Sequence, residues 1–171
     1  MCEEIRIYVA DLSAYNNGKL HGVWIDATSD MDDIWDAVNK MLKNSPEEDA
    51  EEWSIHDYEG FGEVYISEHE GFESVREKAL FIEENPAIGS ELLNHFGGDI
   101  DEAQKAAEEC YSGCYKSLAD YAEELTSDTS EVPEHLAFYI DYERMGRDME
   151  LNGDVYTIET RFDEVHVFWN H

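Results

Sequence analysis

The residue types in this chain that could do chemistry are mostly carboxylates, and they recur at helical spacing. Asp32 and Asp36, Glu73 and Glu77, and Asp120 and Glu124 each stand four residues apart. Glu47/Glu51 and Glu48/Glu52 would add two more pairs if that tract were helical. A like-charge pair at this spacing costs a helix roughly 0.2–0.5 kcal/mol, so an ordinary solvated helix alternates acids with Lys or Arg. Four helical residues advance about 6 Å along the axis, so the carboxylates form regular rows.

Other reactive constellations are poor by comparison. His56-Asp57 and His69-Glu70 are isolated pairs, read as surface or strand residues rather than as an acid/base couple. Cys110 and Cys114 stand four apart with no second ligand pair beside them, so no zinc site is expected. No D-x-[DN]-x-[DN]-G calcium loop occurs. Gly97-Gly98 has no phosphate-loop lysine after it and reads as a helix stop, and His166 and His171 read as exposed. The expectation is a protein without catalytic site, metal or cofactor.

Charge narrows the function further. The 171 residues hold 42 Asp and Glu against 11 Lys and Arg, a formal net charge of -31. Self-repulsion on that scale costs stability. It excludes direct binding to nucleic acid, where Lys and Arg must neutralise phosphates, and it argues against an anionic membrane surface. Basic partners, metal ions or mere solubility remain. B-DNA carries one charge per ~1.7 Å of axis, so -31 matches the phosphates of roughly fifteen base pairs. One reading is therefore imitation of a polyanion; the blander one is an acidic, salt-adapted surface. An acidic chaperone or adaptor that binds basic proteins without shape selection is the rival from another class.

Three cysteines, Cys2, Cys110 and Cys114, form no disulfide framework and suit a reducing cytoplasm. The opening MCEEIRIYVA has neither a basic region nor a long apolar run, so neither a signal peptide nor a transmembrane segment is expected.

Periodicity supplies the elements that must position the carboxylates. Glu4 to Ala10 alternates as a strand, Asn16-Asn17-Gly18 turns, and Leu20 to Ala27 returns. Ser29 or Asp30 caps a helix whose apolar face is Met31, Ile34, Trp35, Val38, Met41 and Leu42. After the acidic tract Glu47, Glu48, Asp49, Glu51 and Glu52, a third strand starts at Trp53. Trp24, Trp35 and Trp53 read as core. From Gly62 the pattern becomes helical: Phe72 to Ile82 before Pro86, Ile88 to Phe96 before Gly97, and a third helix capped by Asp99. Their narrow apolar faces predict a small, marginal module, and residues 46 to 110 hold 20 acids, Glu83 and Glu84 among them, against three bases. Cys110 to Tyr115 reads as a strand, Ser117 with Asp120 as a capping box, and Pro133 as a helix opener. The segment Tyr139 to Glu159 reads as a helix anchored by Ile140, Met145 and Met149, stopped at Asn152-Gly153 and followed by a strand. Asp141 and Asp148 lie on its acidic side. Val155 to Thr160 and Val165 to Trp169 close the chain as a hairpin. The expected fold is α+β in three small modules: 1–61, an acidic helical 62–109, and 110–171.

One resemblance covers the chain in order. IDYERMGRDMELNGD at 140–154 resembles the ArdA antirestriction proteins of conjugative plasmids and transposons. IYVADLSAYNNGKLHGVWID at 7–26, WSIHDYEG at 53–60, SLADYAEEL at 117–125 and VPEHLAFYIDY at 132–142 support it, and 62–110 matches least. The resemblance implies an elongated, non-enzymatic protein of three modules that dimerises through its C-terminal modules. It implies a dimer that looks like bent B-form DNA and blocks type I restriction–modification enzymes, methyltransferase core and nuclease complex alike. On that reading the partner-binding acids are Asp32, Asp36, Glu47, Glu48, Asp49, Glu51, Glu52, Glu73, Glu77, Glu83, Glu84, Asp120, Glu124, Asp141 and Asp148. Apolar residues in excess of what a small module can cover mark an interface, and Phe138, Tyr139 and Met145 are its expected members.

Overall fold

The alternation Ile5, Ile7, Val9 against Arg6 and Tyr8 makes a strand with one buried face, and the computed structural model, which describes residues 4–170, places it as β1, Arg6–Asp11. Cys2 and His171 lie outside the described residues. β1 is the centre of a three-stranded antiparallel sheet, flanked by β2, Gly22–Asp26, and β3, Trp53–Glu59. Ile7 pairs with Ile25 on one side and Val9 with Ile55 on the other.

The turn expected between the first two strands is more than a turn. Asp11 is fully buried, and its carboxylate accepts from the Ala14 amide at 3.2 Å to start a short helix, α1, Leu12–Asn16. The Ser45 hydroxyl donates to the same carboxylate, which ties the end of the next helix to the sheet. That helix, α2, Met31–Lys43, buries Ile34, Val38 and Met41 and carries Asp32 and Asp33 in its first turn and Lys40 and Lys43 in its last, as the helix dipole favours.

Two further helices complete the first compact unit, Met1–Ile100. α3, Phe72–Glu84, buries Phe72, Val75, Lys78, Ala79, Phe81 and Ile82, a broader face than the narrow one expected from the sequence. Lys78 is tolerated there because Glu70 pairs with it at 3.0 Å, and an unpaired buried ammonium would be costly. α4, Gly89–His95, adds Leu92 and Leu93 to the buried set. Phe61, Val64 and Ile66, in the loop after β3, are buried too.

The second unit spans Asp101–His171. Helix α5, Ile100–Lys105, passes into one π-helical turn, Ala106–Cys110, and then into strand β4, Tyr111–Tyr115. Ser117 caps α6, Leu118–Thr129, by accepting from the Asp120 amide, as the capping box predicts. Pro133 opens only a 3-10 helix, Glu134–Tyr139, which buries none of its residues. The single helix expected from Pro133 onward is thus broken. Asp141 starts a new one, α7, Tyr142–Leu151, by accepting from the Arg144 amide at 3.0 Å. Gly153, at φ 80°, follows it and leads into β5, Val155–Arg161, and β6, Glu164–Trp169. The sheet order is β4-β6-β5, all antiparallel.

The core of this unit is Tyr121, Val155, Val165 and Val167, with Leu118, Leu125, Met149 and Tyr115 packed around it. Each fully buried valine contributes roughly 1.5–3 kcal/mol. α7 lies along α6, and Gly146 makes the approach possible: a Cβ there would sit 3.0 Å from Leu118 Cγ and 3.1 Å from its carbonyl oxygen. With two small antiparallel sheets and helices beside them, the chain is α+β, as expected.

Candidate functional site

The helices present their carboxylates outward because their apolar positions are spent on the cores. On α2, Asp32 and Asp36 are exposed, while Ile34 and Val38 turn inward. On α3, Glu73, Glu77 and Glu84 are exposed on the side away from Val75 and Ala79, and Glu83 is exposed in the last turn. α6 exposes Asp120 and Glu124, and Asp128 continues that row by one more turn. Asp128 was missed although its i+4 spacing from Glu124 was readable; the row spans about 12 Å. Asp141 and Asp148 are exposed at the start and middle of α7, Asp141 being also its cap.

The tract at 47–52 is not helical, so Glu47/Glu51 and Glu48/Glu52 do not make rows. Pro46 and the Ser45 link to Asp11 end α2 before it, and the Glu52 carbonyl accepts from the Leu12 amide at 3.0 Å. Glu48, Asp49, Glu51 and Glu52 are nevertheless exposed. Glu47 is half-buried and binds Lys19 at 2.8 Å.

Ion pairs remove little of this charge. Among the described residues they join Arg6 to Glu59, Lys19 to Glu47, Arg76 to Asp30, Lys78 to Glu70 and Arg161 to Glu164. Of the fifteen acids singled out from the sequence, only Glu47 takes part in one. Burial, and after it a hydrogen bond with Glu124, pushes the Tyr115 hydroxyl up to about 12, so this neighbour of the α6 row stays neutral at ordinary pH.

A row spaced about 6 Å carries one charge where duplex DNA carries about three to four. No single helix therefore reproduces the charge density of DNA; several rows must act together. What such a surface can do chemically is hold Lys and Arg side chains through many weak, screened contacts, each worth roughly 0–1 kcal/mol.

The remaining candidates have structural surroundings. His56 packs edge-on against Tyr15, ring centroids 4.6 Å apart, and His69 is exposed. His166, read as exposed from the sequence, is 4% exposed. Thr160 donates its hydroxyl proton to Glu164 at 3.0 Å, so it accepts from His166 Nε2–H at 3.1 Å, and Nδ1 accepts from the Tyr111 hydroxyl at 2.8 Å. Period-2 alternation put Val165 and Val167 inside, and β6 buries His166 as well because β4 and β5 flank it and both its nitrogens are satisfied. Cys110 is buried and Cys114 exposed, and both are free thiols. Among the described residues no group of three or more His, Cys, Asp or Glu is placed to hold a metal ion, and no helix is long and apolar enough to cross a membrane.

The tryptophans depart from expectation. Trp24 and Trp35 are 37% and 39% exposed rather than core, and only Trp53 is half-buried. Of the expected interface residues, Phe138 and Tyr139 are 94% and 84% exposed on the 3-10 helix, with Leu136 beside them. Met145 is half-buried, its sulfur 3.3 Å from the Thr126 hydroxyl of α6.

Comparison with known proteins agrees with the resemblance. No curated protein matches the chain significantly. The model of the antirestriction protein ArdA matches residues 7–164, which takes in nearly all of the first sheet, β4 and β5 of the second, all the helical rows and the acidic tract. The chain belongs to the ArdA family of antirestriction proteins.

Proposed function

We propose that this protein is a DNA mimic that blocks type I restriction–modification enzymes by occupying their basic DNA-binding cleft. The observation that carries the reading is the carboxylate surface: fourteen of the fifteen acids singled out are exposed and, among the described residues, free of ion pairs. Family membership supplies the antirestriction role, and the surface supplies a way to perform it without chemistry. A cleft that binds duplex DNA is lined with Lys and Arg. Carboxylates at intervals of about 6 Å meet those residues without needing the sugar or the bases.

On this reading the partners are the methyltransferase core and the nuclease complex built on it, and the site of action is the cytoplasm. The functional form is a homodimer, which doubles the charge offered to a long cleft. The exposed Phe138 and Tyr139 favour the second unit for that contact. The three-way division at 61/62 and 109/110 belongs to the same proposal: each module would present its own set of carboxylates.

A competition titration tests it. A labelled duplex bearing the recognition site is bound to a type I methyltransferase core, and the protein is added. Displacement of the duplex at stoichiometric protein is expected. Binding of the protein beside a retained duplex, or equal binding to histone-like basic proteins, would contradict it.

A further inference from the structure

The two half-exposed tryptophans of the first unit differ in one respect. Over Trp24 lies the Arg6 guanidinium, 4.4 Å from the ring centroid, and the same guanidinium donates to Glu59 at 2.7 Å. Ring, cation and carboxylate come from adjacent strands β2, β1 and β3, with Arg6 opposite Glu59 in register. This is how arginine is best held at a protein surface: its flat face on a π system and its edge on a carboxylate.

Trp35 has the ring and the carboxylates but not the cation. It is 39% exposed on α2, with Asp32 one turn before it on the same face and Asp36 next to it, both exposed. Its ring is fixed from below by edge contacts to Phe72, centroids 4.9 Å apart, and to Trp53, 6.0 Å apart, and those two rings stack on each other at 4.1 Å. Glu73, exposed, follows Phe72 directly. Among the described residues the cation–π contact at Trp24 has no counterpart at Trp35, and Asp32, Asp36 and Glu73 join no ion pair.

Held rigidly by two aromatic neighbours, Trp35 loses little freedom when a partner covers it, and Trp is prominent among residues that dominate interfaces. We propose that Trp35, with Asp32, Asp36 and Glu73, is a docking point for an arginine side chain of the basic partner, completing the trio that Arg6 completes at Trp24. The charge complementarity is the ground for that occupant. Lysine would satisfy the carboxylates but lacks the planar face that stacks on indole. The inference rests on the proposed function for the identity of the partner, and it adds to it one localised contact within an otherwise distributed surface.

The test uses the full chain and two probes. Ten-residue peptides of all-arginine and all-lysine carry equal charge, and their affinities are compared by calorimetry at fixed salt. The ratio of arginine to lysine affinity should fall about fivefold in Trp35→Ala, the size expected for loss of one cation–π contact, and less in Trp35→Phe. An unchanged ratio in a folded Trp35→Ala overturns the proposal. If that variant does not fold, Asp32→Asn/Asp36→Asn replaces it. That pair should weaken the arginine peptide more than Glu143→Gln/Glu150→Gln on α7 does, and equal losses overturn the proposal. The same variants are then titrated against the methyltransferase core. A wild-type chain that does not bind the core refutes the proposed function and leaves the peptide ratio to judge Trp35. A core that binds wild type and Trp35→Ala equally refutes the docking point and leaves the function standing.

Discussion

Gly146→Ala sets two known effects against each other at one position. Glycine inside a helix is less favourable than alanine by about 1 kcal/mol, because the unfolded chain has more freedom to lose. On an open face of α7 the substitution would therefore stabilise. Here Gly146 is buried against the first residue of α6, and the added Cβ would stand 3.0 Å from Leu118 Cγ, 3.1 Å from its carbonyl oxygen and 3.2 Å from its carbonyl carbon. The leucine tip can rotate away. The carbonyl cannot, because Leu118 is locked into the first turn that Ser117 caps. The helices must separate by a few tenths of an ångström, along a contact that also holds Met145 to Thr126. Overpacking of this kind costs roughly 1–3 kcal/mol, so the net expectation is a loss of about 1 kcal/mol in urea unfolding. Leu118→Ala combined with Gly146→Ala should recover only part of the packing conflict, since the carbonyl remains. A single variant about 1 kcal/mol more stable than the parent would refute the claim that glycine is there to let α7 approach α6.

His166 should make stability fall in mild acid. Burial lowers its folded-state pKa below the 6.5 of the free side chain, so the unfolded chain takes up the proton first. Stability is complete above about pH 6.5 and declines as pH falls from there toward the folded value. His166→Gln should flatten urea midpoints measured across pH 5 to 8, and an unchanged slope would reject the role of this histidine. Neutralising Glu48, Asp49, Glu51 and Glu52 together should lower displacement of DNA from the methyltransferase clearly, whereas Glu48→Gln alone should be nearly silent, because each exposed pair is worth only roughly 0–1 kcal/mol. Loss of inhibition from that one change in a folded protein would point to a specific site instead. Phe138→Glu, at a residue 94% exposed, should give folded monomers that bind the methyltransferase more weakly; sedimentation beside a binding titration would show it, and monomers of undiminished affinity would remove dimer length from the mechanism.

Most of the fold was legible where one periodicity ran unbroken. β1, α2, α3 and the closing hairpin follow from alternation or helical spacing, since the apolar residues so spaced go inside, although β6 also buries His166 on its other face. The failures have local causes. α1 is nucleated by a buried aspartate whose second partner, Ser45, is 34 residues away, and no window around Asp11 contains that hydroxyl. The break at Ile140-Asp141 needed a decision between Pro133 and Asp141 as the helix start, and the aspartate won because its side chain accepts from the Arg144 amide, whereas Pro133 has no side-chain acceptor to cap with. Trp35 lies on the apolar face by spacing yet is partly exposed, because Phe72 and Trp53 already fill the space beneath it. As for the acidic surface, which carboxylates face outward followed from their helices. That Glu47 is engaged by Lys19 did not, since the contact joins residues 28 apart, in the loops that follow α1 and α2.

The central claim is that this protein meets its target as DNA does, and salt tests it most directly. On one methyltransferase core, the affinities of the protein and of a duplex are measured at several salt concentrations and plotted as log K against log salt. A duplex gives a steep line of slope near −0.9 for each phosphate neutralised. A chain of net charge -31 acting on the same lysines and arginines should give a steep negative slope as well, running with that of the duplex. An affinity that stays level while that of the duplex falls would contradict mimicry.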